Sequence, residues 1–471
     1  MGAATALSPE AVWAAPAADW TIAVGDVEAD LPRRAMRLVR GRLPAGLSGT
    51  LFRNGPGKFR RGAGEPAHWF DGDGLVRSFR IGDGRASLSA RFVDTQKRRT
   101  DAAAGRMVVS GFGTPGTPEG RLGKVDDANA ANTSVLALPG KLWALWEAGS
   151  PVAVDPETLE TRGFVTLRPD LAGMPFLAHP RVEPEGRVWN LGFGGGQAIV
   201  WRLSADGALE DATLIPIPRA SYVHDFTATD REIVIVLQPW VREGGGMPLA
   251  DHMAWRPELG TQVLVLDKAD LTRRRVYELE PFFFFHLGDA WREADGTIRF
   301  DGCVSDDAAF VSDAIGGITD RRDSRVRPPS PALFALHPGG RAEVRRLAGA
   351  AEFPKGDARF AGRPRRYTWH VSGKQKSVPL ATGFAVTDLA RGRTERFDFG
   401  QQHIVEEAVF VPRPGGSREG DGWAVGTTLN LKARATELHV FEALRISAGP
   451  LCTFRADVPL PVGFHGAFVQ A

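Results

Sequence analysis

Short segments of alternating apolar and polar residues recur along the whole chain, and each is closed by a polar or glycine-rich turn. Two of them, "TQVLVLDKADLTRRRVYEL" and "GFAVTDLARGRTERFDF", show the pattern as strand, turn and strand. Alternation of this kind is typical of half-buried β-strands, and the period of an amphipathic helix is scarce in this sequence. The pattern therefore predicts an all-β protein built from hairpins.

The hairpins return at loosely repeated intervals, with 55 Gly and 33 Pro spread along the chain as turn residues. This recurrence is typical of a β-propeller, whose blades are four-stranded sheets around an axis, and a two-sheet sandwich is too small for this many strands. The repeat is too degenerate to give the number of blades. Residues 306–327 are less strand-like and are predicted to form inserted loops or short helices.

Composition narrows the class of protein. A chain of 471 residues, 43% of them hydrophobic, can bury a large core, and a net charge of +2 does not indicate a nucleic-acid partner. Two cysteines make neither a disulfide framework nor a thiolate metal site, which fits the cytoplasm. We interpret residues 1–20 as a disordered tail, not a signal peptide, and residues 21–471 as one domain.

One basic cluster lies near the N-terminus. Its arginines are Arg33, Arg34, Arg37, Arg40 and Arg42. A solvated surface is the simpler interpretation, and contact with an anion or a membrane surface is the alternative. No apolar run is long enough to span a bilayer, so any membrane contact is expected to be peripheral.

Four of the ten histidines stand in similar apolar or aromatic settings, at or near predicted strands. They are His179 in "FLAHPRVEPEG", His224 in "YVHDFTAT", His286 in "FFFFHLGDAW" and His465 in "VGFHGAFV". Because the innermost strands of a propeller converge on one axis, histidines that are distant in sequence can meet there, and imidazole suits Fe, Zn, Cu and Ni. The alternative for each is a buried histidine bonded to the backbone. His370 is the strongest rival ligand, whereas His439 is expected in a polar context.

Four neutral ligands would leave the charge of a divalent metal uncompensated in a buried site. Carboxylates that hydrogen-bond to the ligand rings are the usual source of compensation. Glu147, Glu352 and Glu407 are candidates, because each has apolar neighbours in the sequence. Surface positions on strand edges are the alternative for these glutamates.

Several longer segments resemble the carotenoid cleavage oxygenases, from about Leu43 to the C-terminus. They are "LPAGLSGTLFRNGPGKF", "HWFDGDGLVRSF", "ANTSVLALPGKLWALWEAGSPVAVDPETLET", "AHPRVEPEGRVWNLGF", "VHDFTAT", "EFPKGDARFAGRPRRY" and "FHGAF". Matches in this order over most of the chain are highly specific. The resemblance implies a seven-bladed β-propeller with a dome of loops and helices over its top face.

The resemblance also implies a non-haem Fe(II) on the propeller axis. Its ligands would be His179, His224, His286 and His465. Glu147, Glu352 and Glu407 would hydrogen-bond to the second, third and fourth of these histidines, in that order. Thr133, in "ANTS", matches the position whose methyl group crowds an open site on the iron.

The chain departs from the family pattern just after the third histidine. The family has Asn, Ala, an aromatic residue and Glu at this place, whereas this chain has Asp289, Ala290, Trp291 and Arg292. The ligand is retained and its flank differs. We expect an effect on local packing or on iron affinity.

The aromatic residues indicate the kind of substrate. A polyene offers few hydrogen-bonding groups, so its recognition depends on apolar burial and shaped aromatic walls. The excess of 27 Phe over 3 Tyr fits a dry tunnel. Phe285, Phe70 and Trp146 are the candidate wall residues. In "FFFF", alternate phenylalanines are expected to be core, and Phe285 to face the tunnel.

Trp146 bears on the substrate. Stilbene-cleaving members of the family carry Lys immediately before the first glutamate, where this chain has Trp146. The resemblance therefore implies cleavage by O2 of one C=C bond in a carotenoid or apocarotenoid, with aldehyde products of the retinal type. A stilbene-cleaving oxygenase and a non-enzymatic polyene-binding propeller are the alternatives. The apolar substrate would reach the protein from a membrane, so peripheral contact with the inner membrane surface is expected.

Overall fold

Antiparallel sheets account for most of the molecule. The structure is a computed structural model that describes residues 19–62, 67–121, 123–378 and 380–471. Residues 1–18 of the predicted tail lie outside the described residues, and a 3-10 helix occupies Trp20–Val24. Within these described ranges there are five sheets of four strands, one of ten strands and one of two strands.

The ten-stranded sheet joins the two ends of the chain. Its N-terminal strands are β1 (Leu31–Gly41), β2 (Gly49–Arg53), β3 (Pro56–Lys58), β4 (Asp73–Gly82) and β5 (Arg85–Phe92). Its C-terminal strands are β28 (His403–Pro412), β29 (Gly422–Asn430), β30 (Ala435–Glu442), β31 (Cys452–Ala456) and β32 (Gly466–Gln470). The order is β28-β29-β30-β31-β1-β5-β4-β2-β32, with β3 beside β4. The sheet thus contains two blades, one of β28–β31 and one of β32, β2, β4 and β5, linked through β1.

The five four-stranded sheets follow one another along the chain. The first two contain β6 (Ser134–Leu138), β7 (Lys141–Leu145), β8 (Val152–Val154) and β9 (Thr161–Phe164), then β10 (Arg181–Val182), β11 (Val188–Gly194), β12 (Gln197–Leu203) and β13 (Leu209–Pro216). The third contains β14 (Thr227–Ala228), β15 (Glu232–Leu237), β18 (Thr261–Asp267) and β19 (Asp270–Leu279). The last two contain β20 (Phe283–Arg292), β21 (Ile298–Ser305), β22 (Ser330–Leu336) and β23 (Ala342–Arg346), then β24 (Glu352–Lys355), β25 (Tyr367–Ser372), β26 (Gly383–Asp388) and β27 (Arg393–Asp398).

The first strands of neighbouring sheets contact one another. β14 contacts β20, β20 contacts β24, β24 contacts β28, β28 contacts β32, and β32 contacts β6. They make an inner ring of strands, as expected at the axis of a propeller. Five four-stranded sheets and the two blades of the ten-stranded sheet give seven blades, so the predicted all-β propeller is confirmed.

Insertions between strands supply the dome. They include the helix α1 (Gln96–Ala104), the two-stranded sheet of β16 (Trp240–Arg242) and β17 (Met253–Trp255), and a π-helix at Phe310–Ile315. Short 3-10 helices lie at Trp69–Asp71, Pro118–Gly120, Val125–Ala128, Pro169–Leu171, Leu249–His252, Pro257–Leu259, Ala358–Phe360 and Ile446–Ala448. Among the helices of the described residues, none is long and apolar enough to cross a membrane.

The four consecutive phenylalanines divide between two clusters of buried side chains. Phe282 and Phe284 pack in one cluster with the strands of the neighbouring blades. Phe283 and Phe285 belong to a second cluster, which also contains Trp240, Phe310 and Phe464. Because successive side chains of a strand point to opposite faces, the run serves two different environments.

Candidate metal centre

Four histidines converge where the inner strands meet. His179, His224 and His465 directly precede β10, β14 and β32 by one to three residues, and His286 lies in β20. Each is buried, and their nearest ring nitrogens lie within 4.8 Å of one another. The Nε2–Nε2 distances are 2.9 Å from His179 to His224, 3.2 Å from His224 to His286 and 3.1 Å from His286 to His465. The structure thus brings together the four predicted ligands.

Breaks in strand register coincide with the residues of this centre. The pairing of β20 with β21 shifts between Phe284 and Leu287, which flank His286. The pairing of β28 with β29 shifts between Val405 and Ala408, which flank Glu407, and that of β24 with β25 shifts just after Glu352. Because a bulge re-aims a side chain, these irregularities turn the three groups toward the axis.

Each of three histidines meets a glutamate through Nδ1. Glu147 Oε1 contacts Nδ1 of His224 in a very short hydrogen bond. Glu352 Oε2 lies 2.5 Å from Nδ1 of His286 and also accepts from the backbone N–H of Phe353 at 2.9 Å. Glu407 Oε1 lies 2.9 Å from Nδ1 of His465. Among the described hydrogen bonds, the ring of His179 has no carboxylate partner.

These contacts show that the site fits a metal ion. A neutral imidazole that donates its Nδ1–H to a carboxylate leaves a lone pair on Nε2. The Nε2 lone pairs of His224, His286 and His465 therefore face one another at 3.1–3.2 Å, where they repel and cannot hydrogen-bond. A cation relieves this repulsion, and two nitrogens bound at about 2.1 Å with a right angle between them lie about 3.0 Å apart. The four histidines are therefore a metal site.

Burial keeps the rings of His179, His286 and His465 in the neutral form that binds metal. Burial, and then the nearby histidines, hold the pKa of His179 well below its usual value, and burial does the same for His286. Burial also lowers the pKa of His465 to about 3, against the opposing effect of Glu407.

Glu352 and Glu407 differ in charge environment. Burial raises the pKa of Glu352 to about 8, and its Oε1 is buried without a hydrogen-bond partner. Burial also acts to raise the pKa of Glu407, but Lys355 and His465 outweigh it and bring the value to about 2. Lys355 Nζ lies 3.1 Å from Glu407 Oε1. Glu407 is therefore held as an anion, and a bound cation would favour ionisation of Glu352.

An apolar cleft opens on one side of the histidines. Its volume, counted to the open mouth, is about 1100 Å³, and His224, His286 and His465 line its inner end. The three predicted wall residues, Trp146, Phe285 and Phe70, line it, as does Thr133. The Phe285 ring stacks on the His224 ring, with 3.9 Å between centroids. The dome supplies further lining from Phe112 and the π-helix.

Tyr222 is a member of the site that the sequence pattern did not reveal. It lines the cleft, and its hydroxyl donates to Glu147 Oε2 at 2.8 Å. Burial, together with the charge of Glu147, raises the pKa of this hydroxyl well above its usual value, so it stays a donor. The available signals were its position two residues before His224 and the rarity of Tyr in this chain.

His370, the rival ligand, lies elsewhere. It is buried in β25, where Nδ1 bonds to the carbonyl oxygen of Val371 at 2.9 Å and Nε2 to Thr387 Oγ1 at 2.8 Å. Burial lowers its pKa to about 4. His370 is a core histidine whose two ring nitrogens are both satisfied by protein groups.

The comparisons with known proteins agree with the fold and with the metal site. A family model described as retinal pigment epithelial membrane protein, RPE65, matches residues 25–470. The chain belongs to the carotenoid cleavage oxygenases. The predicted family is thereby confirmed, and with it the prediction that the chain is an enzyme.

Relatives of this oxygenase fall into two groups by name. The chain is 29% identical over 464 residues to "Apocarotenoid-15,15'-oxygenase" of Synechocystis, a match covering 92% of each chain. It is 28% identical over 482 residues to "Resveratrol cleavage oxygenase 1" of Aspergillus fumigatus, covering 92% of this chain and 91% of that one. Because the two sequence identities are nearly equal, they do not distinguish an apocarotenoid substrate from resveratrol.

Solved structures agree with the fold. The oxygenase superposes on cobalt-substituted Synechocystis ACO, an apocarotenoid oxygenase, with a TM-score of 0.85 and 25% identity. The match covers 96% of this chain and 98% of that chain.

Proposed function

We propose that the chain is a non-haem Fe(II) dioxygenase that cleaves one C=C bond of a carotenoid or apocarotenoid into two aldehydes. The observation that supports this most directly is the placement of the histidines at the inner end of an apolar cleft. Imidazole ligands suit iron, and bound Fe(II) would supply the activation of O2.

The protein's own residues would hold the metal and keep its ligands in one form. Nδ1 of His224, His286 and His465 would donate to Glu147, Glu352 and Glu407, which fixes the tautomer, leaves Nε2 free for the metal and balances its charge. Thr133 lines the cleft beside this centre and would crowd one side of it. The net reaction adds one oxygen atom of O2 to each carbon of the double bond and breaks that bond. None of these groups therefore needs to transfer a proton.

The cleft would bind and orient the polyene. Phe285 stacks against the His224 ring and lies 5.7 Å, between ring centroids, from Phe70, so the aromatic wall continues from the metal ligand outward. A rigid apolar chain held along this wall would present one double bond to the metal, and burial of its apolar surface would provide the affinity.

Trp146 favours a polyene over a stilbene. Its indole lines the cleft next to Glu147, at the position where the resemblance places a lysine in stilbene cleavers. An aromatic wall gives no cation for a phenol. We therefore propose an apocarotenal as substrate and retinal as the type of product. The non-enzymatic carrier is disfavoured, because a protein that only binds a polyene has no use for a metal site with three glutamates that balance the charge of the ion.

The test is turnover of two substrates by one purified sample loaded with Fe(II). An apocarotenal and a hydroxystilbene are offered side by side with O2, and product masses identify the bond that is cleaved. Loss of the long-wave polyene absorbance with two aldehyde products supports the proposal. Cleavage of the stilbene alone would replace it with the alternative activity, and binding of polyene without turnover would favour the carrier.

Peripheral contact with the inner membrane surface is a further part of the proposal, because the substrate is insoluble in water. The predicted basic cluster lies on β1, except for Arg42, which directly follows the strand. On β1, Arg37 is exposed and pairs with Asp457 at 3.4 Å, and Leu38 is 43% exposed. Flotation with anionic vesicles tests the contact. Binding that is released by high salt supports it, and absence of binding at low salt contradicts it. Cys303 and Cys452 are free and buried, consistent with a cytoplasmic protein.

A further inference from the structure

A second cavity also reaches the histidines, and most of its lining differs from that of the apolar cleft. Its volume, counted to the open mouth, is about 1050 Å³, and its lining comes from the inner strands of the blades or the residues next to them. His179, which does not line the cleft, lines this second cavity, whereas His286 and His465 line both. The histidine cluster therefore separates the two spaces, and we call the second one the axial channel.

The axial channel reaches the protein surface. Val182, which lines it, is 37% exposed, and Ala358 in the same lining is also exposed. At the other end it reaches His179 and His465. The cavity therefore connects solvent to these two histidines without including the apolar cleft.

Charged side chains line the axial channel, in contrast to the aromatic cleft. Arg181 Nη2 contacts Asp225 Oδ1 at 2.7 Å and its Nη1 lies 3.4 Å from Asp289 Oδ1. Lys355 Nζ lies 3.1 Å from Glu407 Oε1. Hydration of a divalent cation is lost at great cost in an apolar passage, and polar walls reduce that cost.

Asp289 determines the sign of this lining. The described lining holds three carboxylates, Asp225, Asp289 and Glu407, against two cations, Arg181 and Lys355. Behind this lining, Arg365 Nε lies 3.8 Å from Asp289 Oδ2 and Arg365 pairs with the buried Asp301, which adds one charge of each sign. Without the carboxylate of Asp289 the two signs would therefore be equal in number. Asp289 is also the first position at which the chain departs from the family pattern after His286, where Asn is usual. The departure thus places a negative charge on the path to the metal site.

We propose that the axial channel is the route by which the divalent metal ion reaches the histidine cluster, and that Asp289 attracts the ion into it. The proposal rests on the metal site of the proposed function, but not on the substrate. A lining with net negative charge raises the local concentration of cations and their rate of arrival, and salt screens this effect.

The first test introduces a tryptophan side chain into each of the two cavities in turn. Ala361 lines the axial channel and Ala350 lines the apolar cleft, and both are partly buried residues in the loops that flank β24. Metal-free protein is mixed with Co²⁺, and the rise of the cobalt absorption bands gives the rate of uptake. Ala361→Trp should slow uptake about tenfold with the final cobalt content unchanged, because a filled passage excludes the hydrated ion. Ala350→Trp should leave the rate unchanged.

The outcomes distinguish the entry route of the metal ion from the existence of the metal site. Slow uptake in Ala350→Trp alone would assign metal delivery to the cleft and overturn the proposal, as would equal rates in both variants. A wild-type protein that binds no Co²⁺ at all would instead refute the metal site itself, and with it the proposed function.

The second test concerns the charge of Asp289. Asp289→Asn keeps the shape of the side chain, and Asp83→Asn removes a carboxylate from the β4–β5 turn, outside the channel lining. Asp289→Asn should slow Co²⁺ uptake roughly threefold at low salt, and the difference from wild type should vanish at high salt. Asp83→Asn should have the wild-type rate. A reduction in the rate of Co²⁺ uptake that does not depend on salt, or an equal reduction in both variants, would contradict the role of Asp289.

Discussion

The ring of Phe285 stacks on the ring of His224, with 3.9 Å between their centroids and 25° between their planes. The residue before one metal-site histidine therefore packs on another. This contact joins the wall of the cleft to the metal centre, so a change in the wall also affects a ligand.

Replacing Phe285 by Leu should lower turnover of the polyene more than it lowers stability. The smaller side chain uncovers the His224 ring and widens the cleft, and the loss of packing should cost about 1–2 kcal/mol of unfolding free energy. Phe282→Leu is the matched control, because Phe282 is equally buried but packs between the blades. Turnover and thermal unfolding of both variants check this. Equal loss of turnover in the two variants would contradict the placement of Phe285 in the wall.

Tyr222→Phe should weaken retention of the metal. The hydroxyl donates to Glu147 Oε2 at 2.8 Å, while Oε1 of the same carboxylate contacts His224. Without this donor the carboxylate loses its fixed orientation, and metal affinity should fall about fivefold. Competition with a chelator measures the affinity. Tyr277→Phe, which removes a hydroxyl bonded to Arg275, should leave the affinity unchanged, and a fall of the same size there would remove the special role of Tyr222.

Trp146→Lys should shift the substrate preference toward a hydroxystilbene. The ammonium group would offer a charged partner to a phenol and would have to be desolvated beside a polyene. We expect kcat/KM for the apocarotenal to fall by at least about tenfold. The ratio of kcat/KM for the two substrates is the readout. An unchanged ratio would show that Trp146 does not select the substrate.

His370 should make stability depend on pH. Burial lowers its folded pKa to about 4 from the ordinary value of 6.5. As the pH falls from 6.5 toward 4, the unfolded chain takes up a proton that the folded chain does not, so stability falls and the loss is complete below pH 4. The full loss is about 3 kcal/mol. Unfolding of His370→Gln across this range should show a shallower dependence, and an identical slope would contradict this account.

Much of the fold was predictable, because period-two alternation in the hairpins follows directly from half-buried strands. The histidines were harder, since residues 45 to 286 positions apart meet only through the closure of the ring. His439 shows the limit of local context: it was expected in a polar setting but is buried in β30, bonded to Thr428 Oγ1 at 3.0 Å. Its setting is polar, as expected, but the threonines that bond to its ring are themselves buried.

The bulges and the axial channel could not be predicted from the sequence. A register shift next to His286 leaves no mark in the alternation of "FFFFHLGD", where every residue before the aspartate other than His286 itself is apolar or small. The partners of Lys355 and Arg181 come from distant blades, so their charges are assigned only once the inner strands are in place. Tyr222 was hidden for the same reason.

Iron content tests the central claim most directly. Metal analysis of wild type, His286→Ala and His370→Ala after anaerobic loading compares a residue of the cluster with an equally buried histidine of the core. We predict about one iron per chain in wild type and in His370→Ala, and little or none in His286→Ala. Undiminished iron in His286→Ala, or no iron in wild type, would contradict the metal site on which the account depends.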